Sequence, residues 1–264
     1  MEILKDRYAL ITGASSGLGV DFANILASAG CHLVLVARRE NRLLKIQNRI
    51  RDKYGVKVEI ITMDLAVPNV PQILYNRISD MGMTIDVLIN NAGVGVYGYF
   101  IETEWEGEKK MLNLDMINLV HLTKLFVKDM VERNFGYILN LASIGAYQPT
   151  PYYSTYAAAK SFVLSFSEAL NYELRKTNVN VTALSPGVTE TEFIETAGQK
   201  EMNFYQKMSV MKSYPVALMG IEAMLKGKPS KIAGINNAFS IVVQRLFSRK
   251  FITRITNWLM RVES

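Results

Sequence analysis

Short apolar runs alternate along the chain with longer segments in which apolar residues recur at helical spacing. The runs, such as residues 8–11 and 31–37, are continuously apolar, which is typical of parallel strands that are buried on both faces. The pattern predicts an α/β fold of the Rossmann type, a doubly wound parallel sheet with helices on both faces. Further strands are predicted at residues 58–63, 86–89, 179–184 and 231–235, and helices at residues 21–30, 42–53, 105–133, 156–176 and 214–226.

A glycine-rich turn, residues 12–19, directly follows the first apolar run and precedes the first helix. In a dinucleotide fold, Gly13 allows the tight turn, Gly17 lets the backbone approach a pyrophosphate, and Gly19 lets the helix lie close to the strand. Free N–H groups at the helix N-terminus would then meet the phosphates. The turn is predicted to bind a dinucleotide through its glycines and through Ser15, Ser16 and Leu18.

The second strand indicates which dinucleotide is preferred. An NAD site usually has an acidic residue at the end of this strand, whereas this chain has Ala37 followed by Arg38 and Arg39. Guanidinium groups pair with phosphate oxygens, so the pattern favours the 2′-phosphate of NADP(H) over NAD(H). The alternative is a solvated basic turn that leads into the next helix.

Tyr156 and Lys160 stand four residues apart, and Ser143 precedes the tyrosine by thirteen residues. One helical turn separates the phenol from the ammonium, so both project from the same helix face. A nearby cation favours the phenolate and lowers a phenol pKa from its ordinary value of about 10. Tyr156 is therefore predicted to exchange a proton with a bound oxygen atom.

These motifs, in this order, resemble those of the short-chain dehydrogenases/reductases between about residues 5 and 192. Residues 142–166 are similar to the branch with hydroxysteroid dehydrogenases and 3-oxoacyl reductases. The resemblance implies that Ser143, Tyr156 and Lys160 are catalytic and that Tyr156 and Lys160 also contact the cofactor. It implies further cofactor contacts at Asp64, Leu65, Asn91, Ala92, Gly93, Pro186, Gly187, Val188, Thr189 and Thr191.

One position departs from the family's pattern. The family has an asparagine on the helix before the serine strand, and its backbone carbonyl holds a water of the proton relay. Counting back from Thr123 places Asp115 there, with Asn113 and Asn118 as neighbouring alternatives. A carboxylate at this position would favour the Lys160 cation and oppose the tyrosinate, while the main-chain carbonyl would persist. Asp115 is therefore included among the candidate catalytic residues.

The resemblance implies hydride transfer between a nicotinamide and a carbonyl or secondary alcohol, with Tyr156 as the acid or base. A substrate oxygen is expected between the Ser143 and Tyr156 hydroxyls. Aromatic residues crowd the segments that should line the pocket, which favours a hydrophobic substrate. The alternative is that these side chains pack the core or a subunit interface. The aromatic residues concerned are Tyr97, Tyr99, Phe100, Tyr147, Tyr152, Tyr153, Phe193, Phe204 and Tyr205.

The composition limits other functions. Cys31 is the single cysteine, and His32 and His121 are the only histidines, too few for a thiolate or histidine metal site, and no metal is predicted. The first residues lack an apolar signal-peptide core, and no apolar run approaches the length of a membrane span. A cytoplasmic location is expected. A homodimer or homotetramer through residues 105–133 and 156–176 is implied by the resemblance alone.

The C-terminal tail carries much of the formal charge of +6. From residue 226 onward it has eight basic residues and one acid, Glu263, with apolar residues at nearly helical spacing. We predict an NADP-binding catalytic domain at residues 1–235, with a substrate loop at about 188–213, and a basic amphipathic extension at 236–264. That extension would dock on the domain, contact a second subunit, or lie on an anionic membrane surface. The basic residues of the tail do not form a recognised nucleic-acid-binding motif, so nucleic acid is not a predicted partner.

Three functional hypotheses follow from the sequence. The first is an NADP(H)-dependent oxidoreductase. The second is a cofactor-binding sensor or scaffold without turnover, motivated by Asp115, in which Tyr156→Phe would change nothing. The third is a peripheral membrane protein that acts through its tail.

Overall fold

One parallel sheet forms the centre of the molecule in a computed structural model that describes residues 1–199 and 201–261. Each pair of neighbouring strands in this sheet runs in the same direction. In chain order the strands are β1 (Tyr8–Thr12), β2 (His32–Ala37), β3 (Val58–Thr62), β4 (Ile85–Asn90), β5 (Gly136–Leu141), β6 (Val179–Ser185) and β7 (Ser230–Ile232).

The strand order in the sheet is β3-β2-β1-β4-β5-β6-β7. The first three strands extend the sheet in one direction and the later strands extend it in the other, so the order reverses between β1 and β4. The loops beyond the carboxyl ends of these two strands diverge and leave a crevice, which is where open α/β sheets bind ligands. The topology therefore fixes the position of the site described below.

Helices cover both faces of the sheet. A 3₁₀ turn at Glu2–Leu4 precedes β1, and a second at Ile144–Tyr147 follows β5. The α-helices among the described residues are α1 (Gly17–Ser28), α2 (Glu40–Tyr54), α3 (Val70–Asp80), α4 (Trp105–Leu112), α5 (Leu119–Glu132), α6 (Ser154–Glu173), α7 (Phe193–Thr196), α8 (Phe204–Met208), α9 (Ser213–Leu225), α10 (Ile235–Gln244) and α11 (Arg249–Met260).

Successive residues of a strand enter opposite cores because side chains alternate across a sheet. On β1, Ala9 and Ile11 pack in the core that α1, α2 and α9 cover. Leu10, between them, packs in the other core with residues of α3 and α5. This two-sided burial requires the continuously apolar strands seen in the sequence, and the predicted doubly wound α/β fold is confirmed.

Most predicted elements differ from the observed bounds by one to four residues at one end or both, and two of the differences have a clear structural cause. The predicted helix 105–133 is interrupted by a π-helical segment, Asn113–Asn118, which separates α4 from α5. The wider turn changes which face each residue presents, and it turns Asp115 fully into the interior. The last strand ends at Ile232 rather than residue 235, because Gly234, with φ of 87°, starts α10.

Candidate active site

The glycine turn between β1 and α1 is held by direct backbone packing. Gly13 has φ of +66°, and a side chain there would meet the backbone of Ala92 at 2.8 Å. A Cβ at Gly19 would lie 2.3 Å from the Gly13 carbonyl oxygen. The Asn91 side chain donates from Nδ2 to the carbonyls of Thr12, at 2.9 Å, and Gly13, at 3.2 Å. The end of β4 therefore fixes the conformation of the turn.

The N-terminus of α1 has the properties of an anion site. Its first N–H groups have no partner within the helix, and the N-cap residue, Ser16, does not cap them with its side chain. Instead the Ser16 hydroxyl accepts a hydrogen bond from Arg39 Nη2 at 2.8 Å. Because the helix dipole and the free N–H groups both favour negative charge, this cradle fits the pyrophosphate of a dinucleotide.

Two arginines with different environments follow β2. Arg39 donates to the Ser15 and Ser16 hydroxyls and forms an ion pair with Glu192 at 2.6 Å. Glu192 also pairs with Arg42, and the hydrogen bonds from Arg42 and then Arg39 lower the pKa of this carboxyl. Arg38 is exposed and lines the same cleft. It has no hydrogen bond or ion pair with any other described residue, so its guanidinium remains available for a phosphate.

The predicted adenine contacts lie at the end of β3. Asp64 and Leu65 both line the cleft. The Asp64 carboxylate accepts from the Ala66 N–H at 3.1 Å and lies 3.4 Å from the Lys110 ammonium. Asn118, one alternative for the relay position, instead donates to the Leu65 carbonyl at 2.6 Å and supports this loop from the interior.

The segment after β6 crosses the cleft opposite the glycine turn. The Met211 N–H donates to the Val188 carbonyl at 2.9 Å, and Thr189 Oγ1 donates to the Gly187 carbonyl at 2.9 Å. Thr191 lies so close to Gly17 that a Cβ on the glycine would meet the threonine methyl at 2.7 Å. The segment predicted to contact the nicotinamide and the glycine turn predicted to contact the pyrophosphate therefore lie on facing sides of the same cleft.

A cleft of about 340 Å³ joins these parts. Its walls include all the predicted site residues except Gly19, which packs behind the turn, and Asp115, which lies behind Lys160. The lining residues predicted from the sequence are Gly13, Ser15, Ser16, Gly17, Leu18, Arg38, Arg39, Asp64, Leu65, Asn91, Ala92, Gly93, Ser143, Tyr156, Lys160, Pro186, Gly187, Val188, Thr189 and Thr191.

Ser143, Tyr156 and Lys160 meet at the carboxyl ends of β5 and β6. Ser143 follows β5 and its Oγ accepts from the Gly145 N–H at 3.1 Å, which orients the hydroxyl. Tyr156 and Lys160 lie on the first turns of α6, with the Lys160 ammonium 5.6 Å from the Tyr156 ring centroid. The Lys160 side chain is 4% exposed and its ammonium donates to the Leu141 carbonyl at 2.9 Å.

Asp115 forms a buried ion pair with Lys160. Its Oδ2 lies 2.9 Å from the ammonium, and its side chain is completely buried. Its other oxygen accepts from the Val94 N–H at 3.1 Å. Burial raises the pKa of Asp115 even though the Lys160 charge opposes that rise. The π-helical segment thus places this carboxylate against the lysine.

The electrostatics at Tyr156 differ from the sequence-based expectation of a lowered pKa. Burial raises the pKa of the Tyr156 phenol, and the Asp115 carboxylate acts in the same direction. The Ser143 hydroxyl alone lowers it. The Lys160 ammonium is paired with the Asp115 carboxylate, so the cation that the sequence placed beside the phenol is held by a buried anion.

The far end of the cleft holds residues that the sequence did not predict. Met260, at the end of α11, lines it together with Gln206 and Ile194. Of the described aromatic side chains proposed for the pocket, Tyr153 and Phe193 line the cleft, while Tyr99 and Phe100 are exposed; the side chains of Phe204 and Tyr205 lie outside the described set. Glu192 and Met260 had no sequence signal, because their roles depend on contacts with distant segments.

The sequence model of a protein family described as short chain dehydrogenase matches residues 7–202. Together with the fold and the site, this match shows that the chain belongs to that family. An uncharacterised oxidoreductase of Staphylococcus saprophyticus is 32% identical over 188 residues, which is 71% of this chain and 80% of the relative. The very-long-chain 3-oxoacyl-CoA reductase of Rattus norvegicus is 31% identical over 190 residues, 70% of this chain and 60% of that protein.

Solved structures give the same family. A short-chain dehydrogenase from Sphingobium yanoikuyae in complex with NADPH is 31% identical, with a TM-score of 0.80, covering 91% of this chain and 94% of that one. A 7β-hydroxysteroid dehydrogenase, 22% identical with a TM-score of 0.86, shares the fold, covering 95% and 96% of the two chains. The chain is therefore an oxidoreductase of the class that acts on alcohols and carbonyl groups.

The buried Lys160–Asp115 pair predicts a marked effect on stability. Lys160→Met leaves the Asp115 carboxylate buried without its cation, and we expect a loss of about 3–5 kcal/mol in the free energy of unfolding. Adding Asp115→Asn should restore much of that loss. Urea denaturation of both single variants and the double variant measures the coupling.

Lys110→Met serves as the matched control, because its ion pair with Asp64 is half-exposed on both sides. Its loss should change stability by about 0–1 kcal/mol. Equal effects at Lys160 and Lys110 would contradict a buried ion pair.

Proposed function

We propose that the protein is an NADP(H)-dependent oxidoreductase that reduces the carbonyl group of a hydrophobic substrate, or oxidises the corresponding secondary alcohol. The observation that carries this proposal is that Ser143, Tyr156 and Lys160 line the same cleft as the glycine turn and Arg38. A proton donor, a hydrogen-bond donor and a dinucleotide cradle are thereby brought to one place.

The residues of the cleft fit the parts of the cofactor. The α1 N-terminus and the glycine turn would hold the pyrophosphate, Asp64 and Leu65 the adenine, and residues 186–191 the nicotinamide. The bound nicotinamide supplies or accepts the hydride. Lys160 would hold the nicotinamide ribose and orient it relative to Tyr156.

Tyr156 is the proposed proton donor in reduction and the proton acceptor in oxidation. The substrate oxygen would lie between the Tyr156 and Ser143 hydroxyls, and the Ser143 hydrogen bond would strengthen as that oxygen gains charge. Burial, and then the Asp115 carboxylate, raise the pKa of Tyr156 and favour the protonated phenol, which is the form that reduction requires.

A hydrophobic substrate fits the walls of the cleft. Tyr153, Phe193, Ile194 and Met260 line the cleft, and the Tyr153 and Phe193 rings lie beside the Tyr156 ring. Such apolar walls favour apolar ligands. The similarity to very-long-chain 3-oxoacyl-CoA reductases supports the same substrate class. A long-chain ketone is accordingly the first substrate to test.

The proposal keeps the remaining expectations from the sequence. These are a catalytic unit at residues 1–235 with a substrate loop at about 188–213, an extension at residues 236–264, a homodimer or homotetramer, and a cytoplasmic location. The sensor hypothesis remains the second candidate, because Asp115 neutralises Lys160 and raises the pKa of Tyr156.

Replacing the proposed proton donor should remove turnover. We expect Tyr156→Phe to lower the rate of NADPH oxidation by a hydrophobic ketone on the order of 100-fold or more, with NADPH binding retained. Absorbance at 340 nm reports the rate. Tyr172→Phe, at an exposed tyrosine of the same helix, is the control and should be unchanged. NADPH binding without turnover in the wild type would favour the sensor hypothesis.

Replacing Asp115 should change the pH dependence of alcohol oxidation, which requires the phenolate form of Tyr156. Removing the carboxylate lowers the Tyr156 pKa, because the charge that opposes the phenolate is gone. The rise in kcat with pH should therefore move to lower pH in Asp115→Asn. Asp52→Asn, on the exposed face of α2, should leave the profile unchanged. A profile that moves to higher pH would refute the assigned electrostatic role.

The unpaired Arg38 should determine the preference for NADP(H). Arg38→Gln removes a charge-assisted contact to the 2′-phosphate, so we expect NADPH binding to weaken by roughly 10- to 100-fold. NADH binding should not change, because NADH lacks that phosphate. Fluorescence titration with both cofactors measures this, with Arg49→Gln on α2 as the control. Equal weakening for both cofactors would show that Arg38 does not read the phosphate.

A further inference from the structure

The C-terminal helices α10 and α11 dock on the catalytic core through one face. Ile241 and Ile252 are buried, and the Thr256 hydroxyl donates to the Pro149 carbonyl at 2.8 Å. At the end of α11, the Tyr97 hydroxyl donates to the Met260 carbonyl at 3.0 Å. The extension is therefore anchored, with its last turn at the rim of the substrate cleft.

The outward faces of the same helices are apolar. Ile235 is 87% exposed and Phe239 70%, and together with the exposed Val242 they stand at positions i, i+4 and i+7 of α10, which is one helix face. Leu246, which is 83% exposed, lies in the turn that follows the helix. We name the outward residues of both helices and of the turn between them the apolar face: Ile235, Phe239, Val242, Leu246, Phe247, Phe251, Ile255 and Trp258.

The apolar face continues from one helix to the next. The rings of Phe247, after α10, and Phe251, on α11, lie 5.2 Å apart. Exposed apolar residues of this extent on a soluble domain indicate an interaction surface. Among the described residues, every helix falls short of the length or apolar character that a membrane crossing requires.

The charge of this region is of one sign. Residues 231–261 include six basic residues and no acidic residue. Arg249, Lys250 and Arg254, on α11, are exposed, and none of the three has an ion pair with another described residue. The partner of the apolar face must therefore accept both apolar side chains and positive charge.

These charges argue against a second copy of the chain as the partner. A two-fold interface places the same patch on both sides, so basic residues would meet basic residues without acids between them. An anionic lipid surface instead attracts each basic residue and accepts the apolar side chains below its headgroups.

We propose that α10 and α11 form a docking surface for anionic membranes, which places the substrate cleft beside the bilayer. The docking surface itself does not depend on the proposed function. Only the statement that substrates dissolved in the membrane enter the cleft rests on it. Two segments that begin at contacts with the end of α11 also carry exposed apolar residues. The loop with Ile101 follows Tyr97, and α8, with Met208, follows Asn203, whose side chain donates to the Leu259 carbonyl.

Sedimentation of the full chain with vesicles tests the docking without any activity measurement. We expect binding to vesicles of equimolar phosphatidylcholine and phosphatidylserine, weakened by salt, and little binding to phosphatidylcholine alone. The triple variant Arg249→Gln/Lys250→Gln/Arg254→Gln should bind on the order of 100-fold more weakly. The variant Phe239→Ser/Leu246→Ser should also lose binding.

Matched controls lie at the opposite edge of the sheet. Lys45→Gln/Arg49→Gln/Lys53→Gln removes three exposed charges from α2, and Leu44→Ser/Ile73→Ser removes two exposed apolar side chains. Both should bind vesicles like the wild type. Equal losses in the α2 and α11 variants, or no binding by the wild type, would overturn the proposal. A dimer that Phe239→Ser/Leu246→Ser converts to a monomer would show that a second copy covers the face.

A kinetic comparison separates this proposal from the proposed function. The α11 triple variant should reduce a short, water-soluble ketone at the wild-type rate, but a long-chain ketone dissolved in phosphatidylserine vesicles far more slowly. Equal loss on both ketones would contradict a role in substrate delivery. Vesicle binding without reduction of either ketone would refute the reductase and leave the docking surface standing.

Discussion

Burial of a parallel sheet on both faces is the constraint on which the rest of this structure depends. Side chains from the middle of each strand enter one of two apolar cores, so polar groups are largely confined to the strand ends. The reversal of strand order between β1 and β4 opens those ends into a crevice. The glycine turn, the serine and the arginines all meet there because each follows the carboxyl end of a strand.

The polar groups that are buried form connected sets. The Asn90 amide, at the end of β4, donates to Thr123 Oγ1 and Asn140 Oδ1, and Asn140 in turn donates to Ser167 on α6. This chain fixes α6 against the sheet, and α6 carries Tyr156 and Lys160. The Asp115–Lys160 pair then locks the lysine from the opposite side. The same contacts that stabilise the interior therefore also position the side chains of the cleft.

The C-terminal extension links the substrate cleft to the surface. Met260 at its end lines the cleft, and its outer face presents apolar and basic side chains. Tyr97 and Asn203, from the loops after β4 and β6, hydrogen-bond to the last turn of α11. The proposed hydrophobic substrate and the proposed lipid-facing surface are consistent with the apolar side chains at both places.

The sequence by itself determined the fold class, the positions of most strands and helices, and the residues of the glycine turn and the Ser143, Tyr156 and Lys160 set. These depend on local periodicity and short spacings, which a linear pattern records. Tertiary structure alone decided the π-helical turn that buries Asp115, the pairing of Glu192 with Arg39, and the outward face of α10. Each depends on which distant segments pack together, because burial and the neighbouring charges, rather than residue type, set whether a side chain is paired, shifted in pKa or exposed.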